Sequence, residues 1–148
     1  MAVAVVNDDG EEGPLSAILT AKDNVNPGIS AGFPIVFPSW LEGSQAGTFQ
    51  IQSQFTEEMD ESTLTDPANY TIRSVDTDSY TVTSVAIPFN QANPTTINLT
   101  FALTSGAVSN GDAITLSRTI TDEAGNPLDL DANTLTVRGF TIIIGSAP

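Results

Sequence analysis

The feature that most narrows the possible folds is alternation. In 48–55, Phe49, Ile51 and Phe55 take turns with Gln50, Gln52 and Gln54; in 95–103, Ile97, Leu99, Phe101 and Leu103 take turns with Thr96, Asn98 and Thr100. Successive side chains of a strand point to opposite faces, so this period buries one face and wets the other. A helix needs a period of about 3.6 residues, and no stretch of useful length shows one.

The same scheme of strand and polar turn continues to the end of the chain. Tyr70 and Ile72 share a face. The segment 80–87 places Val85 and Ile87 on one face and Val82 on the other. Residues 113–120 bring Ile114, Leu116 and Ile120 inward together with Arg118, whose charge must then reach the rim or a carboxylate. Residues 134–144 read as one last strand whose inward parity changes at Gly139, the mark of a β-bulge. About seven short strands with turn signals between them predict an all-β, antiparallel β-sandwich.

Residues 1–47 lack this rhythm and read as a partly extended N-terminal arm, with the sandwich at 48–148. Within the arm, Phe33, Ile35, Phe37, Trp40 and Leu41 are interrupted by Pro34 and Pro38, which forbid a helix and confine the segment to an extended path or a sheet edge. That much apolar surface needs cover, either on the chain's own sandwich as an edge strand or on a neighbouring subunit. Ile142, Ile143 and Ile144 pose the same need, since an edge apolar on both faces invites strand addition. These eight residues are the candidate assembly contacts. The expected partners are protein neighbours in a homo- or hetero-oligomeric assembly.

Composition limits the chemistry. The 148 residues suffice for one domain and contain no cysteine and no histidine, which removes disulfides, thiolate and imidazole catalysis and the commonest zinc, copper and iron ligands. Eighteen acidic residues against four basic ones leave a net charge of −14. A phosphate backbone or an anionic lipid surface is repelled by such a field, so neither nucleic acid nor membrane is an expected partner. No apolar run is long enough to span a bilayer, and the apolar start 1–6 lacks the basic flank of a signal peptide.

Calcium is the sharpest cofactor hypothesis. Asp129, Asp131 and Asn133 alternate as oxygen ligands do at the start of a calcium loop, with Asp122 nearby, but the glycine and closing glutamate of an EF-hand are missing. A solvated acidic turn fits as well, and no cofactor is required. The carboxylates Glu57, Glu58, Asp60 and Glu61 contain the raw material of a glycosidase acid-base pair, yet nothing around them implies a cleft. No catalytic residue is assigned.

Two motifs carry a resemblance. Phe55-Thr56-Glu57-Glu58-Met59-Asp60-Glu61-Ser62-Thr63-Leu64, followed by Asn69-Tyr70-Thr71-Ile72, resembles the phenylalanine-small-glutamate-x-methionine-aspartate signature of bacterial Ig-like domains of S-layer and surface proteins. Thr121-Asp122-Glu123-Ala124-Gly125-Asn126-Pro127-Leu128 is similar to their closing turn, and Gly111-Asp112 stands where that family places its glycine before the penultimate strand. The match covers about residues 48–140, with Ala113 where the family has an aromatic residue. The resemblance implies an Ig-like sandwich in which these residues are architectural. The expectation is a non-enzymatic structural module of a repeated surface assembly. With no export signal in the sequence, the first candidate is a bacteriophage virion component such as a head-decoration, neck or tail protein at the virion surface. The alternative is a spacer or adhesin module of a bacterial cell-surface or S-layer protein.

Overall fold

The two stretches with the strictest alternation lie side by side. In the computed structural model, which describes residues 21–36, 42–88 and 94–148, β2 (Gln45–Phe55) and β5 (Thr96–Ala107) run antiparallel, with Phe49 opposite Phe101 and Ile51 opposite Leu99. All four side chains are buried, and the two rings stack with centroids 5.4 Å apart. Such stacking adds about 1 kcal/mol to what burial of the rings supplies. On the opposite face Gln50 donates to Thr100 Oγ1 and Gln52 to Asn98 Oδ1, so the wet side is a ladder of uncharged polar groups.

β1 (Ile29–Val36) and β4 (Tyr80–Ala86) flank this pair, giving one sheet in the order β1-β2-β5-β4. The second sheet has the order β3-β6-β7-β8, from β3 (Tyr70–Arg73), β6 (Ala113–Leu116), β7 (Thr134–Arg138) and β8 (Thr141–Gly145). Every neighbouring pair is antiparallel. Phe49, Ile51, Phe55, Leu99 and Phe101 of the first sheet and Ile114, Leu116, Leu135 and Val137 of the second belong to one core cluster. The expected all-β sandwich is therefore present. Its first seven strands, 1-2-5-4 facing 3-6-7, follow the immunoglobulin constant-type order, and β8 is added at the edge. Ser53 is the exception on the inner face of β2, since its buried hydroxyl has no hydrogen-bond partner among the described residues.

Four strand-level expectations change. First, 134–144 is not one strand: Gly139, at φ 60°, and Phe140 form a two-residue connection between β7 and β8, with Arg138 paired to Thr141. The parity change marks a hairpin, not a bulge. Second, the bulge lies in β4, where the register shifts between Val82 and Ser84. The extra residue lets Val82 join Val85 and Ile87 against the core instead of facing away. Third, β6 stops at Leu116, so Arg118 sits exposed in the following turn and needs no buried partner. Fourth, because that hairpin divides the expected last strand, the described residues form eight strands.

Part of the segment assigned to the arm is built into the sheet. β1 pairs with β2 from Ile29 opposite Phe55 to Val36 opposite Gln50. Phe33 stands opposite Gln52 and is 48 % exposed on the outer side. β1 passes close over the second sheet, because a Cβ on Gly32 would lie 2.6 Å from Leu135 Cδ2 and 3.3 Å from Ile142 Cγ2. Ile35 lies in β1; Phe37, Trp40 and Leu41 fall outside the described residues.

The ends of the sandwich are held differently. At one end Asp112, fully buried, accepts from Val75 N and Ser109 N, each at 2.8 Å, and from the Tyr80 hydroxyl. One carboxylate thus joins three segments that meet there. At the other end the chain enters and leaves the sandwich side by side. Asp129 N donates to Pro27 O, and Asn133 N donates to Gly145 O, around a 3-10 turn at Leu130–Ala132.

Candidate functional site

The two motif segments meet at the end where β1 begins. After Phe55 the chain turns, and Asp60 caps the single helical turn α1 (Glu61–Leu64), its Oδ1 accepting from Ser62 N at 2.9 Å and Ser62 Oγ at 2.7 Å. Those bonds, the Ser62 hydroxyl first, hold the Asp60 carboxyl below its ordinary 3.8. Met59 and Leu64 reach back into the core and are fully buried. The Tyr70 hydroxyl donates to Leu64 O at 2.6 Å, and its burial pushes its pKa far above the ordinary range.

The second segment follows Ile120. Gly125 takes φ 86°, which a side chain would strain. Asp122 is 3 % exposed and closes its own turn, accepting from Asn126 N at 2.7 Å and Asn126 Nδ2 at 2.8 Å. The segments are tied to each other: Asp60 N donates to Thr121 O, Thr121 N to Thr63 Oγ1 and Glu123 N to Glu58 O, and Met59 forms a β-bridge with Asp122. Residues far apart in sequence thus become one joint.

That joint gathers carboxylates. Asn126 Nδ2 also donates to Asp23 O, bringing in the stretch before β1. Asp23, Glu57 and Asp122 each present a carboxylate oxygen, all within 4.8 Å of one another. Glu58, Glu123 and Ala124 complete an open depression of about 300 Å³. Burial first, then the charges of Asp23 and Asp122 and its hydrogen bonds to both, raise the Glu57 carboxyl above its ordinary 4.5. Three carboxylates this close repel one another as anions, and either a proton on Glu57 or a hard cation relieves that. The oxygen-only donor set suits calcium or magnesium rather than zinc or copper. It supplies no more than half of the six to eight oxygens calcium takes, and both Asp122 oxygens are already engaged.

Of the calcium candidates read from the sequence Asp122 alone joins this triad, and of the acidic turn 57–61 only Glu57 does. Asp129 caps the Leu130–Ala132 turn by accepting from Asp131 N at 3.0 Å, and Asp131 is exposed. Asn133 is buried, donating to Leu116 O and accepting from Thr134 Oγ1. The run 129–133 ties β7 to β6 and does not close as a ligand loop. Asp23 carried no signal in the sequence, and Glu57 only that of an acidic turn. Glu58 lines the depression, Asp60 is engaged at its cap and Glu61 is exposed. The residues that line it are five acids and one alanine, with no aromatic ring among them.

No family model and no curated protein matches the chain. Two solved structures resemble it. One is the crystal structure of the S-layer protein rSbsC(31-844), at TM-score 0.46 and 17 % identity over 74 % of this chain and 13 % of that one. The other is the crystal structure of the N-terminal part of the bacterial S-layer protein SbsC, at TM-score 0.45 and 18 % identity over 77 % of this chain and 24 % of that one. The chain thus spans a small share of either, and overlap at this level transfers no function.

Proposed function

We propose that the chain is a non-enzymatic Ig-like module of a cell-surface or extracellular assembly. The observation that carries this reading is the joint between the two motif segments. Phe55, Met59, Leu64 and Leu128 are buried, Asp60 and Asp122 close their own turns, and backbone hydrogen bonds lock one segment to the other. The residues by which the chain resembles bacterial surface domains are spent on architecture, and the depression beside them is open and lined by acids. The virion reading rested on a missing export signal alone; where a sequence starts does not decide its origin, and no described feature of the fold favours it.

The test is location and activity together. Antibody against the chain should label intact producing cells at their surface or in the extracellular matrix; label found only on virus particles would restore the virion reading, and label confined to the cytoplasm would remove both. Polysaccharide hydrolysis that disappears in Glu57→Gln would overturn the non-enzymatic assignment.

A further inference from the structure

The turn that leads into β6 holds the one asparagine of the chain that is followed by glycine, Asn110-Gly111. Every other asparagine precedes proline or a residue with a bulkier side chain. Such a pair is chemically unstable. Once it loses its proton, the Gly111 backbone nitrogen can close a small ring on the Asn110 side-chain carbon Cγ, and no side chain on Gly111 stands in the way. A bulkier residue would slow the attack, but this turn does not accept one. Gly111 takes φ 96°, and a Cβ there would lie 3.0 Å from Val75 Cγ1.

The fold guards the pair by hydrogen bonding instead. Gly111 N, the attacking atom, donates to Val137 O at 3.0 Å, and Asn110 Oδ1, on the group attacked, accepts from Gly139 N at 2.7 Å. Both partners belong to the β7–β8 hairpin, one near the end of β7 and the other in the connection to β8. Val137 N donates to Asp112 O and Glu42 N to Gly139 O, so two further bonds fasten the same hairpin. While these hold, the nitrogen keeps its proton and the amide cannot swing toward it. Asn110 is exposed, so water reaches it as soon as the hairpin lifts.

We propose that Asn110 is a site of self-modification gated by the β7–β8 hairpin, which preserves the amide when docked and lets Gly111 N attack when lifted. The attack forms a bond from Gly111 N to Asn110 Cγ and breaks the bond from Cγ to Nδ2. Ammonia leaves with the proton given up by Gly111 N. Water then opens the ring at either carbonyl, leaving aspartate or, with the main chain rerouted through the side chain, isoaspartate. Nothing is oxidised or reduced, and water is the sole reactant added. Aspartate keeps an oxygen for Gly139 N. Isoaspartate adds a methylene to the main chain just before Asp112, which displaces that buried carboxylate from Val75 N, Ser109 N and the Tyr80 hydroxyl. The inference does not depend on the cell-surface reading, since every atom but the water is the chain's own.

Peptide mapping by mass spectrometry, on the full chain aged in warm neutral buffer, should find Asn110 converted before any other asparagine. The folded chain should react at least about tenfold more slowly than the chain unfolded in guanidinium or a synthetic peptide of residues 107–114. Gly139→Ala strains the φ 60° position, leaves both reacting groups in place and should speed the reaction several-fold. If that variant does not fold, guanidinium below the unfolding transition of the parent serves in its place: deamidation and exchange of the Gly111 N–H should rise in parallel. The isolated isoaspartyl form should unfold at lower guanidinium than Asn110→Asp, which carries the same charge on an unaltered main chain. No reaction at Asn110 in the unfolded chain, or a folded chain as fast as the peptide, would overturn the proposal. So would a folded Gly139→Ala at the parent rate, Gly111 exchange that rises without deamidation, or an isoaspartyl form as stable as Asn110→Asp.

Discussion

Asp112 and Asp122 are the same residue type, buried to 0 % and 3 % exposure at opposite ends of one sandwich, and they are stabilised in contrasting ways. Asp112 accepts from Ser109 N in its own turn and, across the end of the sandwich, from Val75 N and the Tyr80 hydroxyl. Asp122 takes its donors from Asn126, four residues on in its own turn, while its other side faces Asp23 and Glu57. A buried carboxylate holds a fold together when neutral donors converge on it, and strains it when other carboxylates do. The first end is therefore the mechanical pin, and the second is the chemically restless one.

That contrast can be broken most sharply at the pin. Asp112→Ala leaves three donors without an acceptor and should lower unfolding free energy by about 3 to 5 kcal/mol in a urea titration; a loss below about 1 kcal/mol would deny it the role. Asp122→Ala should be milder, about 1 to 2 kcal/mol, because half-buried Asn126 can turn to water and the repulsion on Glu57 falls. Equal losses at the two aspartates would erase the distinction.

The two remaining effects are smaller and separate by pH. Asp60→Ala removes a helix cap and should lose about 1 kcal/mol. The folded-state pKa of Asp60 is depressed, so its contribution is present above 3.8 and fades as pH falls through its folded value. Melting curves of the variant and the parent should converge in strong acid. Glu57→Gln should act in the opposite direction. The folded-state pKa of Glu57 is raised, so the stability it confers when protonated is full below 4.5 and is lost as pH rises through its folded value. The glutamine variant should melt higher than the parent at neutral pH and gain nothing below 4.5. A parent stabilised by ionised Glu57 would mean that the triad does not repel.

The fold was largely legible, for a local reason. Phe49, Ile51, Leu99, Phe101, Ile114 and Leu116 declare their face through their neighbours, since alternation is a property of adjacent residues. The errors fell where one residue resets that count. Val82 read as outward because the bulge after it is invisible to a two-residue period, and Gly139 read as a bulge because a parity change looks alike in a bulged strand and in a two-residue hairpin. Arg118 read as inward because counting continued past Leu116, where β6 has already ended.

The candidate site was less legible. The acidic turns could be seen, but Asp129, Asp131 and Asn133 drew attention by their spacing, and the structure gives two of them to capping and strand tethering. Asp23 enters only because Asn126 reaches its carbonyl from across the joint.

What the amino-acid sequence determined by itself is a set of two-faced strands, an acidic surface, and a chemistry confined to oxygen donors by the lack of histidine and cysteine. Which carboxylates meet and which aspartate finds donors were decided by the tertiary structure. Each depends on register and on contacts between segments distant along the chain, and the energy of a buried charge is set by the groups that surround it in space rather than by those beside it in sequence.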